Sequence, residues 1–338
     1  MNSSKKFILI SAGDPSSISS EITVKAIKSS KIDKNIMPVV VTDIKIIKDY
    51  KQNNRNNYEI NIINDELYFS DYKENNINVI PIKVCTKPIL GKPTVKNAFF
   101  VKESIIKCVN LQNTSIASAI VTNPINKKIM YKSGFTYSGH TDFLASLSVN
   151  RKQAVMMLVG KDLRTIPLTI HVPLEKVSKI ISKELIIDTI NIAKEYLVSY
   201  FGISKPRIVV TGLNPHAGED GDIGTEEKEI ILPAIKKAFD DKNLFLSGPI
   251  PADTAFSYHK RREYDVVICM YHDQALIPIK TLDFFNGVNV TLGLDFIRTS
   301  PDHGTGFDIA GKNKANPQSL ISAINLAYIM SINKDNEK

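Results

Sequence analysis

Apolar residues in this chain fall into short unbroken runs separated by stretches with helical spacing. The run VVICMY (266–271) is β-branched and apolar without alternation. Such a run suits a strand covered on both faces, as in a parallel sheet packed by helices. Strands are likewise predicted at Lys6–Ala12, Met37–Asp43, Val79–Val84, Ala117–Thr122, Ala154–Val159, Arg164–Ile170, Arg207–Leu213 and Val288–Phe296, with a short one at Tyr58–Ile63. Ile18, Ile22, Val24 and Ile27 lie on one face of a helix that a preceding serine caps. Asp43 starts a second helix. Residues 94–110, 174–200, the stretch from Thr225, and 318–332 complete the helical set. This βαβ alternation predicts an α/β protein.

A length of 338 residues allows one large or two ordinary domains, and 43% hydrophobic residues supply a globular core. The net charge of +8 raises the question of nucleic acid. The basic residues are dispersed among acidic ones, and the longest cluster, HKRR (259–262), is too short for a nucleic-acid patch, so a bias toward anionic small molecules is expected instead. No stretch approaches the roughly 20 apolar residues that span a bilayer, and no membrane partner is expected. MNSSKKFILISAG imitates a signal peptide, but its apolar run is short and leads into a helix pattern, which makes it a first strand. Cys85, Cys108 and Cys269 form no paired framework, so reduced thiols and a cytoplasmic location are expected.

Three of the six histidines directly follow or closely follow predicted strands: His171 after RTIPLTI, His216 after RIVVTGL and His272 after VVICMY. Ligand crevices in open α/β sheets lie outside the carboxyl ends of the strands. Any one of these residues alone reads more readily as a hydrogen-bonded structural histidine. Three in the same topological position point to neutral imidazoles converging on a divalent metal with a position left open for substrate.

Other candidates have two readings each. SGHT (138–141) places His140 and Thr141 at a helix start, where free amides favour an anion or a capping turn. Lys127 is an anion contact or simply a helix residue. Asp253 in PADT is an acid or base, an orienter of histidine, or an N-cap. Lys280, Asn289 and Arg298 lie at element junctions in 265–306. The glycines of NPHAGEDGDIG and GTGFDI do not form the dinucleotide fingerprint, and GKNK is not a Walker loop.

Taken together, TNPINK (122–127), SGHTDF (138–143), IHVPL (170–174), GLNPHAGEDG (212–221), GTEE (224–227), PADT (251–254), MYHDQ (270–274), GVNVTLGLDFIRTSPDHGT (287–305) and AGKNKANP (310–317) resemble the 4-hydroxythreonine-4-phosphate dehydrogenase family of vitamin B6 synthesis. The resemblance runs in order through nearly the whole chain. It implies two α/β/α domains around a cleft, like isocitrate and isopropylmalate dehydrogenases: residues 1–128 with 265–338 on the cofactor side, and 129–264 on the metal and dimer side. It further implies His171, His216 and His272 as ligands of one divalent metal (zinc, magnesium or cobalt), a homodimer with the active site at its interface, and substrate contacts at His140, Thr141, Lys280, Asn289 and Arg298.

The implied reaction is oxidation of 4-phosphooxy-L-threonine by NAD or NADP, followed by decarboxylation to 3-amino-2-oxopropyl phosphate. Asp253 would carry a proton or orient a ligand. One motif departs from the family: its glycine-rich GDPAGIGPE-like turn reads GDPSSISSE here, with Ser17 and Ser19 at glycine positions. If those positions need φ > 0, serine is strained there. Alternative expectations are a relative acting on threonate or erythronate 4-phosphate, an acyltransferase of the phosphotransacetylase type, or a binding protein without catalysis.

Overall fold

The structure is a computed structural model, and it describes residues 5–54, 57–64, 68–114, 116–149, 152–238 and 244–337. In chain order the first elements are β1 (Lys6–Ser11), α1 (Ser19–Ile27), β2 (Ile36–Thr42), α2 (Ile44–Asn53), β3 (Ile60–Ile62), β4 (Ile77–Pro81), α3 (Ala98–Asn113), β5 (Ala117–Val121), α4 (Lys127–Lys132) and α5 (His140–Leu147). There follow β6 (Val155–Val159), β7 (Arg164–Thr169), α6 (Val177–Ile180), α7 (Lys183–Ser199), β8 (Arg207–Thr211), α8 (Leu232–Ala238) and β9 (Phe245–Ile250). The last are α9 (Ala252–Ala255), β10 (Val266–Tyr271), α10 (His272–Leu282), β11 (Val288–Leu292), β12 (Arg298–Pro301) and α11 (Gln318–Asn336). The class is α/β, as expected.

Two compact units form: Met1–Lys152 with Leu294–Ile332, and Gln153–Gly293 with Asn333–Lys338. The boundaries expected from sequence, 128/129 and 264/265, differ from these, and packing explains the difference. Met130, Phe135, Phe143 and Leu144 bury themselves in the same core as Phe7 and Leu9 of β1 and Ile120 of β5, which holds α4 and α5 in the first unit. β10 hydrogen-bonds between β7 and β8, and β11 pairs with β6, so both strands belong to the second unit. The last six residues also fall there, so the first unit does not contain both termini.

In the first unit the strand order is β3-β4-β2-β1-β5-β12, parallel throughout. β2 is buried along its whole length, which its run of apolar β-branched residues allows without alternation. Asp43 caps α2, its carboxylate accepting from Lys45 N, as its position after the strand predicts. α1 differs from expectation: Ile18 occupies the N-cap position without a side-chain bond, and the Ser17 hydroxyl accepts from Ser19 N instead.

In the second unit the order is β11-β6-β7-β10-β8-β9. β7, β10, β8 and β9 are parallel, and β6 runs antiparallel to both neighbours. Leu158, Val209, Val267, Cys269 and Ile279 form its core. Residues 174–200 are largely helical, as expected, with an interruption near Ser182, which caps α7 by accepting from Leu185 N. The expected strand 288–296 ends at Leu292. Gly293 follows at φ +83, where an added Cβ would lie 2.2 Å from Gln153 O, and β12 starts separately.

Phe135, Tyr137 and Phe143 pack with ring centroids 5.1–5.2 Å apart. Replacing Phe143, which is 2% exposed, by alanine removes the ring that joins α5 to the first core. Urea unfolding is expected to show a loss of roughly 3–5 kcal/mol for Phe143→Ala.

Candidate active site

β7, β10 and β8 are adjacent parallel strands, and His171, His216 and His272 all lie beyond their carboxyl ends. The rings of His171 and His272 have centroids 5.9 Å apart. His272 opens α10, and its Nδ1 is 2.8 Å from Asp273 Oδ1, a contact that leaves Nε2 to present a lone pair when Nδ1 carries the proton. Among the described residues no group of three or more His, Cys, Asp or Glu is gathered closely enough to hold a metal ion. A single chain therefore brings two of the three imidazoles together. The donor set itself, neutral imidazoles on neighbouring strand ends, is chemistry that a divalent metal accepts.

Buried side chains tie these strand ends to one another. Thr169, ending β7, donates to Met270 O of β10 at 2.9 Å. Gln274 of α10 accepts from Met270 N at 2.7 Å and from the Thr211 hydroxyl of β8 at 2.8 Å, and donates to Gly212 O at 3.0 Å. Glu227 continues the chain of bonds. It accepts from Leu213 N and Asn214 N at 2.7 and 2.8 Å on one oxygen, and from Asn214 Nδ2 at 2.9 Å on the other.

His171 and His216 hold unusual backbone. His171 has φ +54, and the whole run His216, Ala217, Gly218, Glu219 and Asp220 has φ between +44 and +82. Left-handed conformation costs on the order of 1–2 kcal/mol for each non-glycine residue. Backbone bonds from Ala217 N to Asn214 O (3.1 Å) and Ile223 N to Gly218 O (3.2 Å), with Lys228 Nζ donating to Asp220 O (2.6 Å), help hold the turn. Strain of this kind persists where the surroundings over-determine it, and it concentrates at functional sites.

The first unit carries a cationic cluster. Arg298, 3% exposed at the start of β12, donates from Nε and Nη2 to the Thr122 hydroxyl at 3.1 and 2.6 Å. Burial lowers its pKa to about 9, still cationic at neutral pH. His140 is the first residue of α5, and its Nε2 is buried with no hydrogen-bond partner. Burial holds its pKa well below 6.5, and the charges of Arg298 and Lys127 lower it further. Burial also lowers the Lys127 amine, against the pull of Asp142. An orphaned imidazole and two cations beside a helix start form a setting for an anion.

The remaining sequence candidates divide plainly. Thr141 sits beside His140 on α5. Lys280 lies in the last turn of α10 with Nζ 5.9 Å from the Phe284 ring centroid, and Asn289 lies on β11, both in the second unit. Asp253 is exposed on α9, and Pro251, not Asp253, holds the N-cap position. Sequence reasoning left Lys127 undecided and passed over Gln274 and Glu227, although both lie inside quoted motifs, MYHDQ and GTEE. The serine turn proves unstrained: neither Ser17 nor Ser19 has positive φ, and Gly13 alone takes it, at +68. Ser17 donates to Asp14 O at 2.6 Å and shares a bond with the Ser19 hydroxyl at 2.7 Å.

These features define an α/β protein with histidines beyond three neighbouring strand ends and, in the first unit, a buried arginine near a histidine at a helix start. Residues 34–327 match the family model of the pyridoxal phosphate biosynthetic protein PdxA. The chain is 41% identical over 325 residues to 4-hydroxythreonine-4-phosphate dehydrogenase of Caulobacter vibrioides, covering 95% of this chain and 96% of the relative. It is 52% identical over 242 residues to the enzyme of that name from Roseobacter denitrificans, covering 71% of this chain and 74% of the relative. The solved structure of the Klebsiella pneumoniae enzyme of that name superposes with a TM-score of 0.86 at 34% identity, over 98% of this chain and 99% of that one. The chain belongs to the PdxA family.

Because the unfolded chain binds a proton at His140 near pH 6.5 and the folded chain resists it, stability due to neutral His140 is complete above 6.5 and is lost as pH falls below it. Urea unfolding of wild type and His140→Gln at pH 7.5 and 5.5 tests this. The wild type is expected to lose up to about 1.4 kcal/mol more than the variant per pH unit below 6.5, and equal pH slopes would contradict it.

Proposed function

We propose that this chain oxidises the secondary alcohol of 4-phosphooxy-L-threonine with NAD or NADP and a divalent metal, and that decarboxylation to 3-amino-2-oxopropyl phosphate follows, in the route to pyridoxal 5′-phosphate. The observation that carries this reading is the buried Arg298 with the orphaned His140 and Lys127, found in a chain 41–52% identical to relatives named for that phosphorylated substrate. Arg298, His140, Thr141, Lys280 and Asn289 are the substrate contacts in this reading, and a planar guanidinium suits a phosphate or carboxylate.

His171, His216 and His272 would hold the metal, zinc, magnesium or cobalt, which would supply Lewis acidity at the substrate oxygen, and NAD or NADP would be the hydride acceptor. The hydroxyl proton leaves as the C–H pair of electrons departs as hydride. The bond to the carboxylate then breaks, carbon dioxide leaves, and the electron pair passes to the ketone before the carbon is protonated. Asp253 is the candidate proton carrier.

Two further features support the reading. Glu21 lines a cavity of about 320 Å3 with Ser17, Ser20, Tyr50 and Asn313, and its Oε2 is buried without a partner. An acceptor so placed suits a hydroxyl-rich group such as a ribose. His171 is exposed and is followed by Val172 and Leu174, which are 38% and 69% exposed. Exposed apolar side chains beside this histidine are what a homodimer with its site at the interface would cover. A cytoplasmic setting agrees with the buried free thiols of Cys108 and Cys269, and no described helix is long and apolar enough to cross a membrane.

The test is NADH absorbance when metal-reconstituted protein meets 4-phosphooxy-L-threonine and NAD, or NADP, beside His216→Ala. Metal-dependent turnover is expected with that substrate, falling by at least about 100-fold in the variant. Turnover with threonate or erythronate 4-phosphate alone would move the substrate assignment, and silence with every substrate and both nucleotides would contradict the dehydrogenase reading.

A further inference from the structure

The backbone before His216 is shaped by one side chain that no sequence motif singled out for chemistry. Glu227 is 5% exposed, and its carboxylate accepts from two consecutive backbone amides, Leu213 N and Asn214 N, and from the Asn214 side chain. Asn214 in turn donates to Glu226 Oε2 at 2.8 Å. Glu227 opens a π-helical turn, Glu227–Ile231, before α8. Such wide turns are rare and recur at functional sites.

The neighbouring glycines are cut to fit this carboxylate. A Cβ on Gly218, φ +82, would stand 2.6 Å from Glu227 Oε2, and one on Gly224 would stand 2.2 Å from Asn214 Nδ2. Residues 213 and 214 are therefore clamped just where the chain enters the left-handed run 216–220, so the clamp sets the direction in which His216 leaves the strand end. No other described side chain holds both amides at this entry: the bonds within the turn begin at Asn214 O.

We propose that Glu227 is a positioning residue for His216 and thereby sets the metal affinity of the histidine site, an inference that rests on the metal reading above. The carboxylate does not approach the metal in this account. It acts by keeping the strained turn in one conformation, which fixes the direction in which the His216 imidazole leaves the strand end. Glutamine at 227 keeps the size but turns one acceptor into an amide donor facing Asn214 Nδ2, which loosens the clamp without emptying the space.

Calorimetric titration of zinc into metal-free protein tests this for wild type, His216→Ala, Glu227→Gln, Asn214→Ala and the double variant His216→Ala/Glu227→Gln. Glu227→Gln and Asn214→Ala are each expected to weaken zinc binding by about 10–100-fold, with the circular dichroism spectrum of the metal-free protein unchanged. Glu227→Gln is expected to add nothing once His216 is alanine. Wild-type affinity in Glu227→Gln, or a full further loss in the double variant, overturns the proposal while His216→Ala alone still reports on the metal site. Wild-type affinity in His216→Ala overturns the metal role of His216 and this proposal with it. Should Glu227→Gln fail to fold, Asn214→Ala decides by the same criteria.

Discussion

Gln274 is the side chain that ties the strand ends of the second unit together. From the first turn of α10 it bonds Met270 N and the Thr211 hydroxyl with one oxygen and Gly212 O with its amide, so the carboxyl ends of β10 and β8 are fixed relative to each other. Thr169 extends the tie to β7. Backbone groups at strand ends run out of ladder partners, and burying them unpaired is costly. Here the side chains that satisfy them also set the spacing of three histidine-bearing segments. Structural satisfaction and site geometry are one network.

The two units manage charge in opposite ways. In the second, the carboxylate of Glu227 is held by amides, and His171 and His216 are exposed on left-handed backbone. In the first, the cationic Arg298 is buried and an imidazole is kept neutral nearby by burial and by that same charge. A buried cation has a large desolvation cost that an anionic ligand offsets. The first unit is thus prepared for an anion, and the second for a ligand that accepts lone pairs.

Much of this was legible in the sequence because unbroken apolar runs mark buried parallel strands, and residues just after them must lie on the ligand edge. That logic placed His171, His216 and His272 on three strands that prove to be neighbours. It placed His140 at a helix start, where it stands. The unit boundaries were less legible, since they depend on Phe135 and Phe143 choosing one core, and periodicity does not name the core. Ser17 and Ser19 looked strained by comparison with glycine, yet their φ values are ordinary and their hydroxyls close the turn. Glu227 was invisible as a site residue because its role arises from a π-helical turn and a left-handed loop, neither of which has a hydrophobic period.

The central claim is that three strand-end imidazoles serve one metal. X-ray absorption at the zinc edge of protein loaded with one equivalent of zinc tests it most directly. The account predicts a first coordination sphere with about three imidazole nitrogens near 2.0–2.1 Å, reduced by one in each of His171→Ala, His216→Ala and His272→Ala. A sphere of oxygen ligands that none of the three substitutions changes would contradict it.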